Sequence, residues 1–143
     1  MGGPYARTGG RQRRPLIYLD TSVALAHLLS EDKVPPPELW EETLLSSRLL
    51  EYELWNRINA RNLHETHGEA VRAIVGRVAL LELISPILAR AVEPFPVPVR
   101  TLDALHLASI EFLRQQSVEI ALATYDSRML AAARKLKIPV YPM

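Results

Sequence analysis

Leu16-Ile17-Tyr18-Leu19-Asp20-Thr21-Ser22 opens the folded part of this 143-residue chain. Four largely apolar residues run into an aspartate. Two hydroxyl residues follow, and Val23-Ala24-Leu25-Ala26 then has a helical composition. The stretch reads as a buried strand that carries Asp20 to a sheet edge. In open α/β sheets, ligands gather outside the carboxyl ends of the strands. Asp20 is therefore either a helix N-cap or part of a site, and the other carboxylates have to decide which.

Working outward, Thr21 to Leu29 continues as a half-buried helix. Pro35-Pro36-Pro37 breaks it, and Pro37 can open a short helix through about Glu42, since proline is favourable at a first helical position. Thr43 to Ser46 is a short second strand. Ser47 can cap a helix over Arg48 to His64, with Leu49, Leu50, Leu54 and Ile58 at helical spacing. His67-Gly68 interrupts, and a second helix over Glu69 to Leu80 completes an antiparallel hairpin. Leu81 to Ser85 reads as a third strand and residues 86–93 as a short helix. Three alternating prolines make residues 94–98 a loop. Thr101 caps a helix to Gln115, Glu119 to Thr124 holds a buried strand, and Asp126 opens a helix over Ser127 to Leu136. Ile138 to Tyr141 is an edge strand because of its proline. Strands alternating with helices predict an α/β fold, a three-layer α/β/α sandwich with a mainly parallel central sheet.

On the other side of Pro15, residues 1–14 hold four arginines and no acid, so they carry +4 of a net charge of +1 and leave −3 to residues 15–143. Gly2-Gly3-Pro4 and Gly9-Gly10 deny this tail a regular element. It is expected to be a disordered basic extension ahead of a single domain over 15–143. Hydrophobic content of 48% and charged content of 23% are those of an ordinary globular domain. There is no cysteine, which excludes disulfides, thiolate metal sites and cysteine nucleophiles. No apolar run approaches the roughly 20 residues that span a bilayer, and no apolar core follows the basic start as in a secretory signal. A cytoplasmic protein without a membrane partner is expected.

The chain has four aspartates: Asp20, Asp32, Asp103 and Asp126. Asp20 and Asp126 each follow a predicted strand directly, and in a parallel sheet such junctions share one edge. Asp103, in the first turn of its helix, can join them there, and Asp32 is expected to lie apart. Aspartate is a favoured cap, so three helix starts alone could explain all three. Against that, Thr21, Ser22, Ser127 and Thr101 were available as caps, and Asp103 sits among apolar neighbours. Clustered carboxylates repel one another unless a cation lies among them. All-oxygen ligands suit Mg²⁺ or Mn²⁺. Such an ion can polarise a phosphoryl oxygen and activate water, so the chemistry indicated is phosphodiester hydrolysis.

These residues resemble a known family. Leu16 to Ser22, Ser46-Ser47-Arg48-Leu49-Leu50-Glu51-Tyr52-Glu53-Leu54, Arg100-Thr101-Leu102-Asp103-Ala104-Leu105-His106-Leu107-Ala108 and Ala123-Thr124-Tyr125-Asp126-Ser127-Arg128-Met129-Leu130 resemble, in order, the four acidic motifs of PIN-domain proteins of the VapC toxin ribonuclease type. The resemblance spans residues 16–143. It implies a metal-dependent endoribonuclease that hydrolyses RNA. Asp20, Glu53, Asp103 and Asp126 would be the catalytic and metal-binding acids for Mg²⁺ or Mn²⁺, supported by Thr21, Ser22 and Thr124. Glu53 enters only through the motif register, with Glu51 as its rival. The resemblance also implies a homodimer and a VapB-type antitoxin, with the hairpin of residues 48–80 as a place for contacts.

Other residues have plainer readings. His106 is expected to be a core or near-site histidine rather than a ligand, and His27 a partly buried packing residue. His64 and His67 make a poor zinc pair. Trp40, Trp55 and Tyr52 can stack on bases but suit packing better, and Arg100 can touch phosphate. A haloacid-dehalogenase-like phosphatase needs an acid where Ser22 stands. A receiver-like domain needs an acidic neighbour that Asp20 lacks. A catalytically silent PIN module is the remaining alternative.

Overall fold

The computed structural model describes residues 14–143. The basic extension expected over residues 1–14 lies outside these residues except for Arg14, which pairs with Glu42 at 2.5 Å.

Among the described residues, four short strands form one parallel sheet. They are β1 (Leu16–Leu19), β2 (Leu44–Ser47), β3 (Val78–Leu81) and β4 (Ile120–Ala123), in the order β3-β2-β1-β4. Ile17 stands opposite Leu44 on one side and Ala121 on the other. Side chains alternate between sheet faces, so each strand feeds two cores. Ile17, Leu19, Leu44, Ala121 and Ala123 face one cluster, and Tyr18, Leu45, Ile120 and Leu122 the other. Helices α1 (Thr21–Leu28), α2 (Leu49–Ala60) and α3 (His64–Arg77) cover the first face. Helices α5 (Thr101–Gln115) and α6 (Ser127–Lys135) cover the second, with α4 (Ser85–Ala91) packed on α5. The expected three-layer sandwich is present. Leu50, Leu54 and Ile58, one turn apart on α2, are fully buried; each such side chain contributes roughly 1.5–3 kcal/mol.

The strand order positions everything that follows. From β1 the chain moves outward to β2 and β3, then returns past α5 to β4 on the opposite side of β1. The order therefore reverses between β1 and β4, and a crevice opens at their carboxyl ends. Asp20 ends β1, and Thr124 to Asp126 follow β4.

Several boundaries differ from expectation. The helix expected to run to His64 stops at Ala60, and α3 begins at His64 rather than Glu69. The break falls at Asn62, which holds φ 56°, a left-handed conformation that asparagine tolerates well. Gly68 instead lies inside α3, where an added Cβ would stand 3.5 Å from the Trp55 ring. α3 accordingly ends early, and β3 begins three residues before the predicted strand, leaving Glu82 to Ile84 as a connection. Residues 138–141 make a single parallel bridge, Leu122 with Val140, rather than a strand; Pro139 has no N–H with which to extend it. His27 is exposed, its ring 4.8 Å from that of Trp40. Trp40 and Trp55 pack against the core, whereas Tyr52 is exposed. No helix among the described residues is long and apolar enough to cross a membrane.

Candidate active site

Asp20 occupies the N-cap position of α1 but its side chain makes no cap bond. Its Oδ2 accepts instead from the hydroxyls of Ser22 and Thr124, both at 2.7 Å. The capping reading fails at this residue. Thr124 also accepts from the Asp126 N–H at 3.0 Å, and Ser22 from the Tyr125 N–H at 2.9 Å. The ends of β1 and β4 are thus laced together by the hydroxyls of Ser22 and Thr124.

Asp126 does act as a cap. Its Oδ1 accepts from the Arg128 and Met129 N–H groups at 2.8 and 3.3 Å, and among the described residues its Oδ2 has no hydrogen-bond donor. Asp103 stands in the first turn of α5, whose cap position is Arg100 rather than Thr101, and accepts from the Arg100 N–H at 3.4 Å. Burial raises the Asp103 carboxyl above its ordinary range, and the charges of Asp126 and Asp20 raise it further. The acids are therefore near enough to repel one another.

Glu53, one turn into α2, reaches the same place. Its Oε1 accepts from Thr21 Oγ1 and from His106 Nε2, each at 2.7 Å. Burial raises the Glu53 carboxyl, but the His106 contact, the Thr21 bond and the charge of Arg57 outweigh it, and the carboxyl lies below its ordinary range. Glu51 pairs with Arg48 at 3.4 Å, so of the two rival glutamates it is Glu53 that faces the site.

Asp20, Glu53, Asp103 and Asp126 line a single cleft of about 990 Å³. Thr21 and Ser22 share its wall, with Thr124 beneath. Lys33, Arg57 and Arg100 stand around it. Asp32 was expected to lie apart, yet it and Glu31 also line this cleft. The polar loop after α1 brings Lys33 to 5.7 Å from the Tyr125 ring.

A family model for the PIN domain matches residues 17–135, which include all four acids. The chain belongs to the PIN-domain family. It is also similar to two proteins of Mycobacterium tuberculosis. One, named ribonuclease VapC47 (strain CDC 1551 / Oshkosh), is 30% identical over 128 residues, covering 85% of this chain and 92% of that protein. The other, named ribonuclease VapC35, is 30% identical over 131 residues, covering 87% and 95%. The PIN-domain assignment agrees with the parallel sheet and the α/β/α sandwich.

The donor set of this PIN domain fits a hard divalent cation. It is all oxygen, and its mutual repulsion is what a cation would relieve. As the side chains stand, no group of three or more acids or histidines among the described residues is gathered closely enough to hold a metal ion. The expectation that all four carboxylates lie within a shared ligand distance is therefore not met. Each of the four has its own bonds: Asp126 caps α6, Asp103 accepts from the Arg100 N–H, Glu53 meets His106, and Asp20 accepts from two hydroxyls. A cation that keeps several waters and takes one or two carboxylates, as Mg²⁺ does, needs no tighter cage.

His106 is the buried near-site histidine expected from the sequence, and Tyr18, given no role there, supports it. His106 is 1% exposed and Tyr18 fully buried, and the Tyr18 hydroxyl lies 2.7 Å from His106 Nδ1. The signals were spacing and parity. His106 follows Asp103 by three positions and so shares its helix face. Tyr18, by strand alternation, points opposite to Ile17 and Leu19, toward α5.

Proposed function

We propose that this PIN-domain chain is a divalent-metal-dependent endoribonuclease, the toxin of a VapBC-type toxin–antitoxin pair acting in the cytoplasm. The observation that carries the reading is the meeting of Asp20, Glu53, Asp103 and Asp126, from four separate segments, in one cleft at the switch point of the sheet. The similarity to two proteins named as ribonucleases supports RNA as the substrate.

Mg²⁺ or Mn²⁺ would be held by these acids, and when bound supplies positive charge that polarises the phosphoryl group and acidifies water. The chain's own residues do the rest. Asp20 is fixed by Ser22 and Thr124, and Glu53 by Thr21 and His106, so neither carboxylate has to be ordered when substrate arrives. The carboxylates can orient a water and accept its proton as its oxygen attacks phosphorus and the leaving P–O bond breaks. Lys33, Arg57 and Arg100 line the same cleft and supply cations that can contact RNA phosphates. No side-chain nucleophile is required. A VapB-type antitoxin and a second copy of the chain are the proposed protein partners, on the strength of the family.

The test is cleavage of total RNA in Mn²⁺ or Mg²⁺, with and without EDTA, by wild type and Asp103→Asn. Cleavage by the wild type alone, abolished by EDTA, is the expected outcome. Equal cleavage by the mutant would remove Asp103 from the mechanism, and a wild type inactive with either metal would favour a silent PIN module.

A further inference from the structure

Of the four acids, Glu53 has the longest side chain and the most rotatable bonds, so it loses the most freedom when fixed. It also comes from α2, in the helical layer opposite α5. Its carboxylate is nevertheless held by a contact that reaches into the buried core. His106 Nε2 meets Oε1 at 2.7 Å, and Tyr18 meets the other ring nitrogen at 2.7 Å. Both supporting residues are sealed from solvent.

The chain of donors has a direction. A carboxylate oxygen only accepts, so Nε2 must carry a proton and donate to Oε1. The bond made by one imidazole nitrogen sets the role of the other. In the neutral ring, Nδ1 is then the acceptor for the Tyr18 hydroxyl. The nearby Ser46 and Ser109 hydroxyls spend their protons on the carbonyls of Leu19 and Leu105, so neither competes as donor to the ring. Thr21 adds a second donor to the same Oε1. That oxygen is satisfied, and among the described residues Oε2 has no donor, while Glu53 lines the cleft.

We propose that His106, oriented by Tyr18, is a positioning residue: it clamps Glu53 through Oε1 so that Oε2 is presented to the divalent cation of the cleft. The proposal rests on the metal-dependent nuclease reading above and names a part of that site. The arrangement has the form of the outer contacts that orient metal-ligating groups, which are worth about 10–100-fold in metal affinity. Because the clamp joins α2 to α5, it also ties the two helical layers together at the sheet's carboxyl edge. A buried histidine of purely structural use also needs a partner at each nitrogen; what sets His106 apart is that one partner is a carboxylate lining the cleft.

The measurement is Mn²⁺ affinity, read from the electron paramagnetic resonance of free Mn²⁺ during titration of the full chain. Circular dichroism in EDTA checks that each variant is folded. His106→Leu should weaken Mn²⁺ binding by about 10–100-fold. His106→Gln, whose amide nitrogen can stand at the position of Nε2, should recover most of the loss. His106→Asn, whose amide stands nearer Nδ1, should not. In the Glu53→Gln background His106→Leu should add nothing, because the group it positions is gone. Wild-type affinity in folded His106→Leu, a Gln variant no better than the Asn variant, or additive losses with Glu53→Gln would each overturn the clamp alone. If His106→Leu does not fold, the Gln and Asn variants decide. A wild type that binds no Mn²⁺ overturns the metal reading and this proposal together.

Discussion

Thr124 shows how much one hydroxyl can hold. It donates to Asp20 and accepts from the Asp126 N–H while only 4% exposed. Thr124→Val keeps the shape but leaves a buried N–H and a carboxylate each short of a partner. Such a loss costs about 1–3 kcal/mol, to be read from the urea midpoint, and Thr124→Ser should restore most of it. At this scale the sequence was informative about residue type and less so about partners. Asp20 was visible because it directly ends an apolar strand. The His106–Glu53 contact was not, since it joins positions 53 apart through the closure of two layers. Asp32 was misplaced because the course of a proline-rich loop depends on where Tyr125 offers a surface for Lys33.

At the scale of elements, Asp126 carries two duties that can be separated. It caps α6, and it lines the cleft. Asparagine caps as well as aspartate but is a poor ligand for a hard cation. Asp126→Asn should therefore hold its denaturation midpoint while losing RNA cleavage. Asp126→Ala should lose cleavage and also about 1 kcal/mol of stability. Elements with an unambiguous period, α5 above all, match the sequence reading to within about a residue at each end. The α2–α3 boundary did not, because Gly68 looked like a stop signal and Asn62 did not. The glycine serves packing against Trp55, and the turn uses the asparagine's tolerance of positive φ. β3 slipped with it, since apolar residues at the end of a helix and the start of a strand carry no marker between them.

For the whole molecule, Asp103 is a stability cost at the sheet's carboxyl edge. Asp103 has its carboxyl raised by burial and by Asp126 and Asp20. The folded state thus holds that proton more tightly than the unfolded chain does, and stability declines as pH rises from the ordinary aspartate value through the raised one. At neutral pH in EDTA, Asp103→Asn should melt at a higher temperature than wild type. Adding Mn²⁺ should reverse the order, because a ligand bound only by the folded state stabilises it by about 2.7 kcal/mol at 100 times its dissociation constant. Differential scanning fluorimetry of both proteins with and without the metal checks this. A wild type that melts above Asp103→Asn in EDTA would mean that Asp103 is a structural cap and not a repelled ligand.

The adjacency of β1 and β4 has a consequence in time. During synthesis β1 emerges early, but the strand that pairs with its other edge begins only at Ile120, and Asp126 follows later still. Until then Asp20 lacks its Thr124 partner, and the cleft lacks Tyr125 and Asp126. A growing chain still attached to the ribosome therefore has no complete acidic floor, although Asp20, Glu53 and Asp103 have already been made. On the proposed mechanism, a nuclease built on this strand order has no complete site until its last strand docks.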